Sequence, residues 1–301
     1  MDISNYTGEL AALATAVFWT ITAMSFEVAS KNIGSLAVNM IRLVLAFIFL
    51  SIFNLVARGY ILPVDATTHA WVWLSVSGLV GFVFGDYFLF KAFAAINARI
   101  AMLVMTLVPP ITAVIGWLIL GESMSMLEIL GMVLTVSGIA MAIFSRKGEG
   151  NNRKVRLSYP VRGILYALGG AIGQAVGLVL SKYGMGEYNA FAATQIRIIA
   201  GLIGFGLIIL ALNKGHIVKK AFKSRKGMIG TGIGSVFGPF LGVSFSLIAV
   251  KYAATGVAST IMAIVPILII PPAVIYFRQK VSWLEILGAF ISVGGVTLFF
   301  V

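Results

Sequence analysis

Apolar runs of about 20 residues recur along the chain between short polar breaks, and about 20 residues is what a helix needs to cross a bilayer core. The pattern predicts ten helices, near 8–29, 36–57, 68–92, 97–120, 125–145, 161–183, 190–212, 227–250, 255–277 and 283–300. Two breaks are longer and more polar, RKGEGNNRKVRLSYP over 146–160 and NKGHIVKKAFKSRKG over 213–227. The fold class expected is all-α, a polytopic integral membrane protein with no sizeable water-exposed domain.

The pattern also repeats. SMLEILG at 125–131 returns as SWLEILG at 282–288, 157 positions later. At the same offset Gly81 matches Gly238, Gly85 matches Gly242, Phe88 matches Phe245 and Pro109 matches Pro266. At an offset of 155, Gly8 matches Gly163, Ala37 matches Ala192 and Arg42 matches Arg197. The slip of two falls in the loop after the second helix of each half, as expected for a duplicated five-helix unit. The division predicted is a first repeat over 1–145, a basic connecting loop over 146–160 and a second repeat over 161–301. Five is odd, so the second copy must enter the membrane upside down, around a cavity where the halves meet.

Composition and charge sharpen this reading. Apolar residues make up 60% of the chain and charged residues 11%, too apolar a balance for a soluble protein of this size. The net charge of +12 gathers in short loops beside apolar spans, which speaks for topology and anionic headgroups rather than nucleic acid. Lys31, Lys91 and Arg99 follow the first and third helices of the first copy, whereas Lys214, Lys219, Lys220, Arg278 and Lys280 follow the second and fourth helices of the second copy. Homologous loops thus carry opposite bias, as inversion requires. The positive-inside rule puts the connecting loop in the cytoplasm and both termini outside, in a multi-pass protein of the plasma (inner) membrane. The opening MDISNYTGEL has no basic leader and reads as no cleavable signal.

Several chemistries are excluded or unsupported. There is no cysteine, and the two histidines, His69 and His216, fall in expected loops. No cluster has metal-ligand spacing, no phosphate-binding G-x-x-x-x-G-K-[ST] is present, and nothing calls for a cofactor. The intramembrane inventory is too thin for catalysis, so no catalytic residue is assigned and an enzyme is not expected.

Other motifs read structurally. Ser125 with Glu128, and Ser282 with Glu285, match the Ser-x-x-Glu capping box at the starts of helices five and ten. Gly230, Gly234, Gly238 and Gly242 form a stripe of small residues suited to close helix packing. Pro109, Pro110, Pro266 and Pro271 interrupt helices four and nine, where lost backbone donors make hinges.

The duplicated five-helix unit resembles the EamA-type transporters of the drug/metabolite transporter superfamily. The resemblance rests on an arginine near the start of each second helix (Asn39-Met40-Ile41-Arg42, and Arg197), on Gly85-Asp86, on Ala101 through Gly131, and on Thr255 through Gly295. It implies ten helices around a central cavity, alternating access and transport of small metabolites, often export of amino acids. One departure is that the middle of helix one, ATAVFWTITAM, lacks the glutamate of the small multidrug-resistance relatives.

In such a design the solute binds near the midplane. Trp19 and Gln174, symmetry-related and mid-span, are substrate-cavity candidates. So is Asp86, a mid-span carboxylate whose counterpart is Val243; it is a proton carrier, an ammonium partner or a salt-bridged structural group, with Lys91 a nearby cation. Tyr87 and its counterpart Ser244 are expected on the same path. Glu27 and Arg42 are expected to pair, and Arg42 and Arg197 to serve as gates or anchors. The partners expected are a small-molecule substrate and the lipid bilayer, with proton coupling tied to Asp86. The function expected is a secondary transporter, an exporter of a small organic metabolite such as an amino acid. The alternatives are a carrier of phosphate-bearing, lipid-linked or nucleotide-sugar cargo, or a non-transport scaffold.

Overall fold

The computed structural model describes residues 6–111, 114–115, 126–147, 154–157, 159–253, 258 and 261–298. The first half supplies α1 (Thr7–Ile33), α2 (Ser35–Arg58), α3 (68–96), α4 (98–111) and α5 (Met126–Ile143). The second supplies α6 (Val161–Met185), α7 (Ala190–Ala211), α8 (Arg225–Tyr252), α9 (261–275) and α10 (Trp283–Thr297). Both halves are helical, and the chain is a multi-pass membrane protein.

Helices three and four form one nearly continuous apolar stretch, Thr68–Ile111, reversed at a single residue. Asn97 takes φ 63° and ψ 165°, outside helical geometry. Its Oδ1 accepts from the Ile100 backbone N–H at 3.2 Å, capping the new helix. Asp86 and Pro109 line one cavity. A straight helix at about 1.5 Å per residue would hold them more than about 30 Å apart. The chain therefore folds back at Asn97, and α3 continues to residue 96 where the sequence pattern suggested 92.

Two expected loops contain regular structure. Part of the 146–160 connection forms an antiparallel hairpin, β1 (Phe144–Lys147) with β2 (Lys154–Leu157), Phe144 opposite Leu157. The break at 213–227 carries a short helix, Gly215–Ala221.

Packing follows the duplication. α1 lies against α8 and, in the mirrored arrangement, α6 against α3; α2 meets α7 and α5 meets α10. The α5–α10 contact marks the pseudo-twofold axis. Thr135 and Ser292 are counterparts at offset 157, and each binds the other's backbone: Thr135 Oγ1 donates to Ser292 O at 3.3 Å, and Ser292 Oγ donates to Thr135 O at 3.1 Å. The counterparts Gly138 and Gly295 allow this approach, since a methyl on Gly138 would stand 2.5 Å from Gly288 O. The stripe on α8 packs the same way on α1, with Gly238 against Thr22 and Gly242 against Trp19.

The two ends of the bundle separate cleanly. At one end Gly8 abuts Ala253, Arg58 pairs with Asp65, and Lys251 pairs with Glu187. At the other Gly227 abuts Ile33, Gly163 abuts Ile96, and Tyr159 reaches Glu285. The start of α1 and the start of α6 thus lie at opposite ends, and the two copies are inverted.

A feature absent from the sequence reading appears in both copies. α3 passes through a π-helical segment, Leu79–Asp86, and α8 through another, Val236–Gly242. They start at the same position under the 157-residue shift. Such segments widen a helix locally and are frequent at functional sites.

Candidate functional site

A cavity of about 150 Å³ lies between the halves. The two π-helical segments meet there, contributing Phe82 and Asp86 from one copy and Gly238 and Pro239 from the other. α1 adds Trp19, Thr22 and Phe26, α2 adds Arg42, α6 adds Gln174 and α7 adds Arg197. Most of the wall is apolar, with few polar groups converging on it, the usual make-up of a small-molecule site.

Its centre is a buried network. Arg42 Nη2 donates to Asp86 Oδ2 at 2.6 Å, and Gln174 Nε2 donates to Asp86 Oδ1 at 2.6 Å. Arg42 Nε donates to Asn39 Oδ1 at 3.0 Å. Three rings surround the Arg42 guanidinium, Phe90 at 4.8 Å, Phe82 at 5.4 Å and Phe26 at 5.7 Å from their centroids. Arg42 and Asp86 are almost fully buried. A paired, hydrogen-bonded arrangement is the form in which two such charges are tolerated inside a span.

Several expectations need correction. Glu27 does not pair with Arg42. Its Oε1 accepts from Lys31 Nζ at 2.5 Å, one turn along α1, and its Oε2 accepts from the Ala98 backbone N–H at 2.8 Å. A carboxylate there satisfies an orphan donor at the start of α4 and complements the helix dipole. Lys91 is not the partner of Asp86; it lies 4.2 Å from the Tyr87 ring centroid and 5.2 Å from that of Tyr166. Tyr87 and Ser244 are not in the cavity wall. Tyr87 packs with Phe82 and Leu43 in a flanking cluster, and Ser244 is fully buried.

The capping box at Ser282 is half present. Ser282 Oγ accepts from the Glu285 backbone N–H at 3.2 Å. The Glu285 side chain instead reaches across the interface, 2.7 Å from Arg99 Nη2 and accepting from Tyr159 Oη at 3.0 Å. Ser125 lies outside the described residues. Of the prolines, Pro109 lines the cavity, Pro266 is buried beneath α10, and Pro271 is exposed. α4 tightens to a 3₁₀ turn at Met105–Leu107 just before Pro109-Pro110, and α9 breaks into short pieces around Pro266 and Pro271.

Thr106, Ser246 and the aromatic wall were not singled out in the sequence. Phe26, Phe82 and Phe90 look like any other lipid-facing aromatic there. Thr106, directly before the Pro109 break, carried a usable signal, a hydroxyl beside an interrupted helix.

At the opposite end from Glu285, a second set joins the copies. Asp65 accepts from Arg58, and from Tyr188 Oη at 2.8 Å. Deeper, Asn54 Nδ2 donates to Gln195 Oε1 at 2.9 Å, and Gln195 Nε2 donates to Ser51 Oγ and Ile61 O at 2.9 and 2.8 Å.

Comparison with known proteins gives a consistent picture. The EamA-like transporter family model matches residues 6–144 and again 161–301. An uncharacterized transporter of Bacillus subtilis (strain 168), YoaV, is 29% identical over 146 residues, covering 48% of this chain and 49% of the relative. That likeness spans about half the length of either protein. A solved structure described only as a crystal structure of protein superposes with TM-score 0.62 at 18% identity, over 97% of this chain and 95% of the other. At that identity the likeness concerns the fold alone.

Proposed function

Because the chain belongs to the EamA-like transporter family, we propose that it is a secondary carrier that exports a small organic metabolite, such as an amino acid, across the plasma membrane by alternating access. The observation that carries this reading is the central cavity built from symmetry-related helices, with buried charges at its centre. Inverted-repeat carriers bind near the midplane and rock one half against the other. Polar contacts between the copies at both ends of the bundle, Arg99–Glu285 at one and Arg58–Asp65–Tyr188 at the other, are suited to breaking and re-forming in such a cycle. The interrupted helices α4 and α9 are candidate hinges. The basic loops favour a cytoplasmic connection between the halves.

The cavity's size favours small cargo. A space of about 150 Å³ takes a solute of roughly six to ten heavy atoms, since an engineered cavity of that size holds benzene. Nucleotide sugars and lipid-linked cargo are far larger. A small phosphate-bearing solute is the second reading, favoured by the two arginines in the wall. Asp86 has both oxygens engaged by protein donors, which weighs toward a structural role over carrying a proton.

The test is counterflow in proteoliposomes. With unlabelled amino acid trapped inside, labelled amino acid added outside should accumulate without an imposed ion gradient. Absence of exchange for amino acids, other small organic acids and phosphate alike would overturn the carrier reading.

A further inference from the structure

We propose that Arg197 is the receptor for a carboxylate, and that the solute is a compact organic acid whose anionic group, rather than any ammonium, decides binding. The inference rests on the carrier reading above and narrows its cargo.

The argument comes from the broken symmetry of two arginines. Arg42 and Arg197 occupy equivalent positions in the two copies, and both line the cavity with at most 4% of their surface exposed. Arg42 has two dedicated partners, Asn39 and Asp86. At the equivalent positions the second copy has Thr194 and Val243. Thr194 turns its hydroxyl to Ala190 O at 2.8 Å, and Val243 is apolar and lies in the cavity wall. Arg197 makes no hydrogen bond and has no carboxylate within 4 Å among the described residues, so that it feels the Asp86 charge only through space, and its Nε is buried without a partner. Its guanidinium rests 4.7 Å from the Phe82 centroid, the ring that Arg42 also approaches.

An unpaired buried guanidinium is costly, and its planar fork suits a carboxylate oxygen pair. The described wall carries two arginines and one aspartate, so its formal charge is +1. Asp86 is already committed to Arg42 and Gln174, so no free carboxylate awaits an ammonium. The remaining wall, with Trp19, Phe26, Phe82 and Met262, offers apolar contact to a hydrocarbon body.

Three matched solutes test this: L-leucine, L-leucinamide, which lacks the carboxylate, and 4-methylpentanoate, which lacks the ammonium. Binding to the purified chain is read by thermal shift and by quenching of Trp19 fluorescence in a variant whose other tryptophans are phenylalanine. Transport is read by counterflow. Leucine and 4-methylpentanoate are expected to bind within about threefold of each other, and leucinamide at least tenfold more weakly. Arg197→Gln should weaken both acids at least tenfold, and Arg197→Lys should restore part of that loss. Without ligand, Arg197→Met should melt no lower than wild type, because it removes an unpaired charge. A leucinamide affinity equal to that of leucine, or acid binding unchanged in Arg197→Gln, overturns the inference and leaves the carrier reading standing. So does an Arg197-dependent response to inorganic phosphate with none to 4-methylpentanoate. No exchange of any solute by the wild-type chain overturns both.

Discussion

The two copies of the five-helix unit agree in backbone and disagree in buried charge. Both bend α3 or α8 through a π-helical segment at the same place, both interrupt the following helix at a proline, and both put an arginine in the cavity wall. In the first copy the arginine is held by Asn39 and Asp86, whereas in the second those positions are Thr194 and Val243. Duplication supplied a scaffold twice over, and divergence of a few side chains made one half self-sufficient in charge and left the other short. Function in such a protein is therefore read from where the copies differ rather than from where they match.

The largest effect should come from breaking the self-sufficient side. Asp86→Ala leaves Arg42 buried without its counter-ion, and removing one partner of a buried pair costs about 3–5 kcal/mol. The expected outcome is a sharp fall in melting temperature and in yield from detergent. The double variant Arg42→Met with Asp86→Leu should recover most of that loss. If Asp86→Ala melts like wild type, the pair does not hold the first copy together.

The ends of the bundle extend the comparison. Arg99 from the first copy and Glu285 from the second are nearly buried, with side chains 6% and 13% exposed, and Tyr159 adds a hydrogen bond. Glu285→Gln should cost about 1.5–3 kcal/mol, the range for hydrogen bonds to charged groups. If this contact opens during transport, cysteines introduced beside Arg99 should also label faster in the variant.

Restoring symmetry sharpens the comparison further. Val243→Asp offers Arg197 the carboxylate that Arg42 already has. Stability should change little or rise, while transport of an organic acid falls about tenfold, equivalent to about 1.4 kcal/mol of lost binding. Unchanged transport in a folded Val243→Asp protein would mean that Arg197 is not the group the solute meets.

The sequence disclosed the duplication and the inversion because both rest on long-range regularities: span length, ordered matches at one offset, and charge that switches sides. It singled out Trp19, Gln174 and Asp86 as cavity candidates, and these line the cavity, because polar or amphipathic groups are conspicuous inside apolar spans; Arg42 and Arg197, expected as gates or anchors, line it as well. It mispaired them, since sequence adjacency is a poor guide across helices. Glu27 and Arg42 sit on neighbouring helices near one end, yet α4 presents an unsatisfied N–H at Ala98 that claims the glutamate. Asp86 looked toward Lys91, five residues on, although helical neighbours stand three or four apart; its true partners come from α2 and α6. Tyr87 and Ser244 went astray because a π-helical segment ends within two residues before each position, where the face that follows no longer keeps the α-helical register. Nothing in Leu79–Asp86 announces that turn, and only Pro239 hints at it in the second copy.

The smallest effect is expected at the other end, where the ion pair is wet. Asp65 lies in an exposed loop, and a surface pair is worth about 0–1 kcal/mol. Partial burial alone would raise its carboxyl, but the Tyr188 hydrogen bond and the Arg58 charge outweigh this and hold it below the ordinary value. A lowered carboxyl contributes stability that is present above the unfolded value, near about 3.9, and lost as pH falls below it. Burial and the Asp65 hydrogen bond push Tyr188 up to about 12, so its contribution is present below about pH 10 and lost as pH climbs toward 12. Asp65→Asn should thus lower the melting point only slightly at pH 7 and flatten the loss seen as pH falls below about 4. The alkaline loss should shrink as well, because the carboxylate that favours the neutral phenol is gone. A variant as unstable as Glu285→Gln would mean that this end is clamped as firmly as the other, and the inequality between the two ends would disappear.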